Sequence, residues 1–205
     1  MFDVPTQYCE RIVGQLSFEP INIISSVAYL VVAVIAYWYL RKRGHTSPVL
    51  PVLLGLIGLG SMWWHITASP LGDIADTLSI AVFASVAAFM LLQAILRSKL
   101  AIGGAFLFLL AAILFTESSD VLNGSLPYIV LLAGFVVAGT FYAQKFPSSK
   151  FLVVSAALTF LSAILFRSID LSVCSYLPIG THFLWHILVA AFGLQLLMLL
   201  SNRYR

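Results

Sequence analysis

Seven long apolar segments, separated by short polar connections, limit what this chain can fold into. Each segment is long enough to cross about 30 Å of hydrocarbon as a helix, and none has the period-two alternation of a membrane β-barrel strand. The segments are Asn22–Leu40, Val49–Ile66, Ile74–Leu96, Leu100–Thr116, Leu126–Tyr142, Phe151–Phe166 and His182–Leu200. The sequence therefore predicts an all-α integral membrane protein, in which residues 1–205 form a single seven-transmembrane helix bundle.

The composition excludes several other classes of protein. Of the 205 residues, 61% are apolar and 9% are charged, whereas soluble proteins have about 45–50% and about 25%. So few polar side chains cannot cover a water-exposed surface, which excludes a soluble enzyme. The net charge of +3 is too small to indicate a nucleic acid as partner.

The basic residues predict the direction in which the chain crosses the membrane. They lie in the connections after the first, third and fifth segments and in the C-terminal tail: Arg41, Lys42, Arg43, Arg97, Lys99, Lys145, Lys150, Arg203 and Arg205. In the outer connection after the sixth segment, Arg167 is offset by Asp170. Because basic loops stay in the cytoplasm, we expect the C-terminus inside and the N-terminal segment, residues 1–21, outside. The short chain, without an apparent cleavable signal, suits a bacterial inner membrane.

Two cysteines, Cys9 and Cys174, fall on the outer side of the membrane in this topology. The outer side is the oxidising one in a bacterial or secretory membrane, so a disulfide can form there. From the residues alone, a bridge and two free thiols remain equal alternatives.

Three histidines are expected near the same outer face. His182 and His186 are four residues apart, so they share one face of the last span. Such a pair can bind one metal ion, but it can equally be a hydrogen-bonded pair at the interface. His65 ends the second span on the same side of the membrane. Three histidines at one depth match the protein ligands of a catalytic zinc site, which leaves a fourth position open.

Two further polar residues lie near these histidines in the predicted bundle. Ser61 is four residues before His65 and shares its helix face, although a serine at a helix contact is common in membrane bundles. Asp73 follows Gly72 at the start of the third span, where a capping role explains it. Asp76 is one turn deeper, where its carboxylate can hold a ligand histidine in place or move a proton.

Several separated strings resemble motifs of the alkaline ceramidase family, which belongs to a wider group of seven-span hydrolases that includes the adiponectin receptors. The family's Ser-x-x-x-His and following aspartate are similar to SMWWH, residues 61–65, and to Asp76 eleven residues later. Its His-x-x-x-His motif is similar to THFLWH, residues 181–186. Looser similarities are the strings YCE, EPINIISS and RSIDLSVC.

The resemblance implies a role for each matching residue. It implies zinc on His65, His182 and His186, with Ser61 and Asp76 as catalytic partners. It also implies a disulfide, in this chain between Cys9 and Cys174.

The N-terminal segment departs from the family's calcium site. Eukaryotic members bind calcium there through acidic, asparagine and tryptophan-backbone ligands. Here Gln7, Tyr8 and Ile12 stand where the resemblance leads us to expect Asp, Trp and Asn. Losing an acidic and an amide ligand weakens a hard-cation site, so the sequence gives little support to calcium at its remaining candidate ligands, which are Glu10, Glu19 and Asn22.

These observations lead to the hypothesis of a zinc-dependent amide hydrolase of sphingolipid metabolism. It would cleave ceramide or a related N-acyl lipid into a free amine lipid and a fatty acid. Asp76 would take the proton of the attacking water and pass it to the leaving amine. Ser61 would hydrogen-bond either the developing oxyanion or the aspartate.

Three alternatives stay open at this point. An ester or phospholipid acyl hydrolase could use the same zinc site. A metal or proton transporter could use the histidines and Asp76 as a relay, although a relay needs polar residues throughout the depth of the bundle. A ligand-sensing receptor is favoured only by the number of spans, which is an analogy of fold. The expected partner is a membrane lipid with an acyl chain, and no obligatory protein partner is evident.

Overall fold

The computed structural model describes residues 8–14, 18–45, 47–96, 98–114 and 121–201. These residues form helices without any strand, which confirms the all-α prediction. The helices are α1 Cys9–Gly14, α2 Pro20–Lys42, α3 Val49–Thr67, α4 Pro70–Ile95, α5 Ser98–Leu114, α6 Leu126–Lys145, α7 Lys150–Val173 and α8 His182–Ser201. A short 3₁₀ turn, Pro147–Ser149, precedes α7.

Among the described residues, six helices are long and apolar enough to cross a membrane. They are α2, α3, α4, α6, α8 and the continuous segment Pro147–Val173 that contains α7. Many large apolar side chains point outward from them, such as Phe151, which is 84% exposed, and Ile24, which is 67% exposed. Outward apolar side chains suit a lipid environment and not water. The chain is therefore a multi-pass helical membrane protein.

The fourth predicted span, Leu100–Thr116, corresponds to α5. This helix is described over 17 residues as far as Leu114, and the last two residues of the predicted span lie outside the described residues. Three basic residues used to predict the orientation, Arg97, Arg203 and Arg205, also lie outside them.

The helices form a closed ring. From α2 to α8, each helix contacts the next one in sequence, and α8 returns to contact α2. The apolar core includes Tyr29 of α2, Leu54 and Ile57 of α3, and Ala190 and Leu197 of α8, all of which are fully buried. This arrangement brings the first, second and last long helices together along one wall of the bundle.

A tight connection sets the contact between α3 and α4. Ala68 adopts a left-handed conformation with φ of 44°, and the Ser69 hydroxyl caps α4 by accepting from the Gly72 N–H at 3.1 Å. A Cβ atom on Gly60 would lie 2.7 Å from the carbonyl oxygen of Ala75. Only glycine allows the two backbones to approach this closely, which places Gly60 of α3 against the backbone of Ala75 and Asp76 in α4.

The start of α8 is fixed by a buried carboxylate on α7. Asp170 accepts hydrogen bonds from the N–H groups of Thr181 at 2.6 Å, His182 at 2.9 Å and Cys9 at 3.0 Å. Cys9 and Cys174 form a disulfide close by, with their Cα atoms 5.2 Å apart. The same carboxylate therefore holds the N-terminal segment and the first turn of α8, where unpaired N–H groups favour an anion.

The placement of Arg167 and Asp170 in an outer loop was wrong. The structure continues α7 seven residues past Phe166, and both residues lie in it with less than a tenth of their surface exposed. Each is buried because it has polar or aromatic partners there: Asp170 binds three N–H groups, and Arg167 lies against the ring of Tyr8.

Candidate metal centre

The structure brings the three predicted histidines together. His65 comes from the end of α3, and His182 and His186 come from the first two turns of α8. At most 2% of each residue is exposed. One ring nitrogen from each histidine lies within 4.8 Å of the others, and the Nε2 atoms of His65 and His186 are 3.1 Å apart.

The neighbours of these rings determine where the protons lie. Nδ1 of His65 is 2.5 Å from the carboxylate of Glu19. Because a carboxylate only accepts, Nδ1 of His65 carries a proton, and in a neutral imidazole Nε2 then carries a lone pair. Nδ1 of His186 is 2.7 Å from the Ser25 hydroxyl, which already donates to the Asn22 carbonyl. His186 therefore also donates from Nδ1 and has a lone pair on Nε2.

This proton arrangement fits a metal ion between the rings. When both rings are neutral, two Nε2 lone pairs at 3.1 Å cannot hydrogen-bond to each other. Nδ1 of His182 is buried and has no hydrogen-bond partner among the residues that the structure describes. A cation bound by imidazole nitrogens would satisfy all three rings, and neutral imidazole is a preferred ligand of transition metals.

Glu19 is the carboxylate that holds a ligand histidine, and sequence reasoning did not give it this role. It lies at the start of α2 with 1% of its surface exposed. Burial raises the pKa of Glu19, but hydrogen bonds from His65, Arg11 and Asn22 outweigh burial and hold the pKa below its ordinary value. Glu19 is therefore ionised, as a partner that orients a metal-binding histidine must be. Ser25 provides the corresponding contact for His186.

Ser61 lies next to the histidines, on α3. Its hydroxyl is 3.3 Å from Nε2 of His186 and 3.0 Å from the hydroxyl of Ser26. Ser26 donates its own proton to the Asn22 carbonyl at 2.7 Å, so it can accept from Ser61. Ser61 thus has one proton to give and two acceptors close by.

Asp76 is close to the centre but does not hold a histidine. Its side chain, on α4, is half-buried, and its Cα lies beside Gly60, the residue before Ser61. In the described part of the chain, its carboxylate has no hydrogen-bond partner. Glu19, and not Asp76, is the carboxylate that contacts His65.

Tyr8 covers the ring of His182, and sequence reasoning also missed this contact. The two rings stack with centroids 3.6 Å apart at an angle of 17°. The phenol accepts a hydrogen bond from Arg167 of α7, whose guanidinium also lies over the rings of Tyr128 and Trp185. Burial raises the pKa of Tyr8, so the phenol keeps its proton. No spacing rule predicts such a contact, but the neighbouring Cys9 is a signal that this segment is fixed near α7.

The residues proposed for calcium are occupied by partners within the protein. Both carboxylate oxygens of Glu10 accept backbone N–H groups, from Ile21 at 2.6 Å and from Asn22 at 3.0 Å. Both oxygens of Glu19 are also bonded, to Arg11, His65 and Asn22. Within this set, Oδ1 of Asn22 is the one buried oxygen without a partner in the described ranges. Calcium takes six to eight oxygen ligands, so these residues do not fit it.

The fold and the site define a helical membrane protein with a buried three-histidine centre suited to a metal ion. A family model described as Ceramidase matches residues 4–204. The chain therefore belongs to the ceramidase family, and the family expected from the sequence motifs is confirmed. Membership implies a hydrolase that acts on an amide bond of a lipid. A search of curated proteins finds no match.

Proposed function

We propose that this protein is a zinc-dependent hydrolase that cleaves ceramide or a related N-acyl lipid into a free amine lipid and a fatty acid. The observation that carries the proposal is the meeting of three imidazole nitrogens at one buried point in a member of the ceramidase family. His65, His182 and His186 would hold the metal. When bound, zinc supplies a Lewis acid for the amide carbonyl and a nucleophilic water at neutral pH.

Asp76 is the proposed proton carrier. A general base needs an acceptor that is not committed to other donors, and it must lie within reach of the reacting water. The half-buried carboxylate of Asp76 meets the first requirement among the described residues, and we propose that it also meets the second. It would take a proton from water and deliver it to the leaving amine.

Ser61 is the proposed donor to the developing oxyanion. Its hydroxyl lies 3.3 Å from a nitrogen that would bind the metal, which supports a position beside the carbonyl of a bound amide. In this structure Ser61 can donate to Ser26, and a short rotation of the hydroxyl would turn the proton toward the substrate. Such a donor is worth about 2.7–4 kcal/mol of transition-state stabilisation.

An apolar groove on the helices that carry Ser61 and Asp76 supports a lipid substrate. It lies between α3 and α4 and has a volume of about 380 Å³. Gly60, Ala75 and Trp63 line it, and the first two are the sequence neighbours of Ser61 and Asp76. We propose that the acyl chain of the substrate lies in this groove while the amide reaches the histidines.

We also propose seven spans, with the site near the outer, periplasmic face of a bacterial inner membrane. The closed ring of α2 to α8 supports counting α5 as a span. The disulfide supports the orientation, because it joins the N-terminal segment to the connection before α8 and forms most readily on an oxidising side. Labelling of a single cysteine placed in the α2–α3 connection, from outside intact cells, tests it, since we expect no labelling there.

The test of the function combines metal content with substrate preference. Purified protein should contain close to one zinc per chain by mass spectrometry, and His182→Ala should lose it. The protein should release fatty acid from ceramide faster than from an ester lipid with the same acyl chain, and Asp76→Asn should keep zinc while turnover falls about 10²–10⁴-fold.

Each outcome of this test has a clear meaning. Faster cleavage of the ester would favour an acyl hydrolase on the same site. Full turnover in Asp76→Asn would remove Asp76 from the mechanism. A protein without metal would contradict the zinc proposal. Uptake of zinc or protons into sealed vesicles, abolished by His186→Ala, would then favour a transporter.

A further inference from the structure

Two buried carboxylates lie beside the metal centre, at Glu10 and Glu19. At most 5% of each residue is exposed. A buried carboxylate is costly unless charge or hydrogen bonds compensate it. The candidate calcium ligands described above do not fit a calcium ion. The charge of the two carboxylates must therefore be compensated by groups of the protein itself.

Glu10 is compensated by the N-terminus of α2. Its two oxygens accept from the N–H groups of Ile21 and Asn22, in the first turn of that helix. Free N–H groups and the helix dipole make this end of a helix positive. Glu10 therefore needs no metal ion.

Glu19 is compensated by Arg11. Nε of Arg11 donates to Oε1 of Glu19 at 2.7 Å, and Nη2 of Arg11 donates to the carbonyl of His65 at 3.1 Å. That carbonyl also accepts the N–H of Glu19 at 3.0 Å. It lies in the last turn of α3, where unpaired carbonyls and the helix dipole favour a cation. One guanidinium thus binds both the buried carboxylate of Glu19 and a carbonyl at the C-terminal end of α3.

The other oxygen of Glu19 connects this pair to the metal centre. Oε2 lies 2.5 Å from Nδ1 of His65. Carboxylates that contact a metal-binding histidine fix the ring and its tautomer, and their loss typically lowers metal affinity about 10–100-fold. A residue that holds Glu19 in place therefore also affects the orientation of the His65 ring.

We propose that Arg11 takes the place of a bound calcium ion in this protein and, through Glu19, positions His65 for metal binding. Arg11 is a positioning residue, since it does not contact the metal-binding nitrogens. The proposal requires the metal centre but does not depend on which bond the enzyme cleaves.

Zinc affinity of the full chain in detergent, measured by competition with a chelator, tests the positioning role. Arg11→Gln should weaken zinc binding about 10–100-fold. Arg11→Lys should recover part of the loss, because lysine keeps the charge but cannot place two donors in a rigid fork. Arg41→Gln is the matched control, since it removes the same charge from the exposed far end of α2, and it should bind zinc as the unchanged protein does.

Thermal unfolding with 1 mM Ca²⁺ or with a calcium chelator tests the replacement of calcium. The unchanged protein should melt at the same temperature in both, and Arg11→Gln should be stabilised by Ca²⁺ relative to the chelator. Calcium retained on the purified protein, or a rise in its melting temperature with Ca²⁺, would overturn the replacement. The positioning role would be overturned if Arg11→Gln bound zinc as tightly as Arg41→Gln does. It would also be overturned if the unchanged protein did not bind zinc. If Arg11→Gln does not fold, the affinity of Arg11→Lys decides the positioning role: it must fall below that of Arg41→Gln.

Discussion

Replacing Glu19 with glutamine tests whether the contact between this carboxylate and His65 controls metal binding. Glutamine keeps the size of the side chain and an oxygen acceptor for Nδ1 of His65, but it removes the negative charge. Hydrogen bonds to a charged group are roughly twice as strong as neutral ones, and the contact in this structure measures 2.5 Å. The change also leaves the guanidinium of Arg11 without its carboxylate partner at 2.7 Å.

The expected loss follows from these contacts. Histidine-orienting carboxylates are typically worth 10–100-fold in metal affinity. Because glutamine keeps the acceptor, we expect the lower end of this range, about tenfold or 1.4 kcal/mol. The measurement is a zinc titration against a competing chelator, with the protein in detergent at fixed pH.

Glu10→Gln is the matched control for this prediction. Glu10 is in the same segment and equally buried, but its oxygens contact the backbone of α2 and not a histidine. The control should lose about 0.3–2 kcal/mol of stability through the helix terminus while its zinc affinity stays unchanged. If Glu19→Gln and Glu10→Gln bind zinc equally tightly, the link from Glu19 to the metal centre is refuted.

Two further predictions concern the scaffold. Replacing Cys9 and Cys174 by serine should cost about 2–5 kcal/mol of stability, because the bridge closes a loop with a sequence separation of 165 residues. A reductant should lower the melting temperature of the unchanged protein and not that of the double variant. Equal sensitivity of the two proteins to the reductant would contradict this prediction. Gly60→Ala should cost about 1–3 kcal/mol, because its Cβ would meet the Ala75 carbonyl at 2.7 Å. Gly103→Ala is the control, since no atom lies within 4 Å of the added Cβ, and it should leave the stability unchanged or raise it. Equal melting temperatures for the two variants would refute the close contact between α3 and α4.

The helices and the grouping of the three histidines could be predicted because both follow from local patterns. Apolar runs specify helices that cross a membrane, and the spacing of His182 and His186 specifies one helix face. The depth of His65 followed from the direction of its span. These inferences use only the spacing of residues along the chain and the side of the membrane on which each residue lies. They do not require knowing which helices contact each other.

The contacts that orient the histidines could not be predicted, because they join residues far apart in sequence. Glu19 and His65 are 46 positions apart, and Ser25 and His186 are 161 apart. The burial of Arg167 could not be predicted either, since a charged residue at the end of an apolar run normally marks the membrane surface. Its placement depends on Tyr8, a residue 159 positions away.

The two carboxylates near the histidines differ in their contacts, and this difference supports different roles. Glu19 has both oxygens engaged by three donors, among them His65, which suits a role in orienting that ring. Asp76 has no hydrogen-bond partner among the described residues and remains partly exposed. A general base must exchange protons during turnover, whereas an orienting carboxylate must stay ionised and fixed. Asp76 therefore suits proton transfer and Glu19 suits orientation, although from the sequence Asp76 was a candidate for either role.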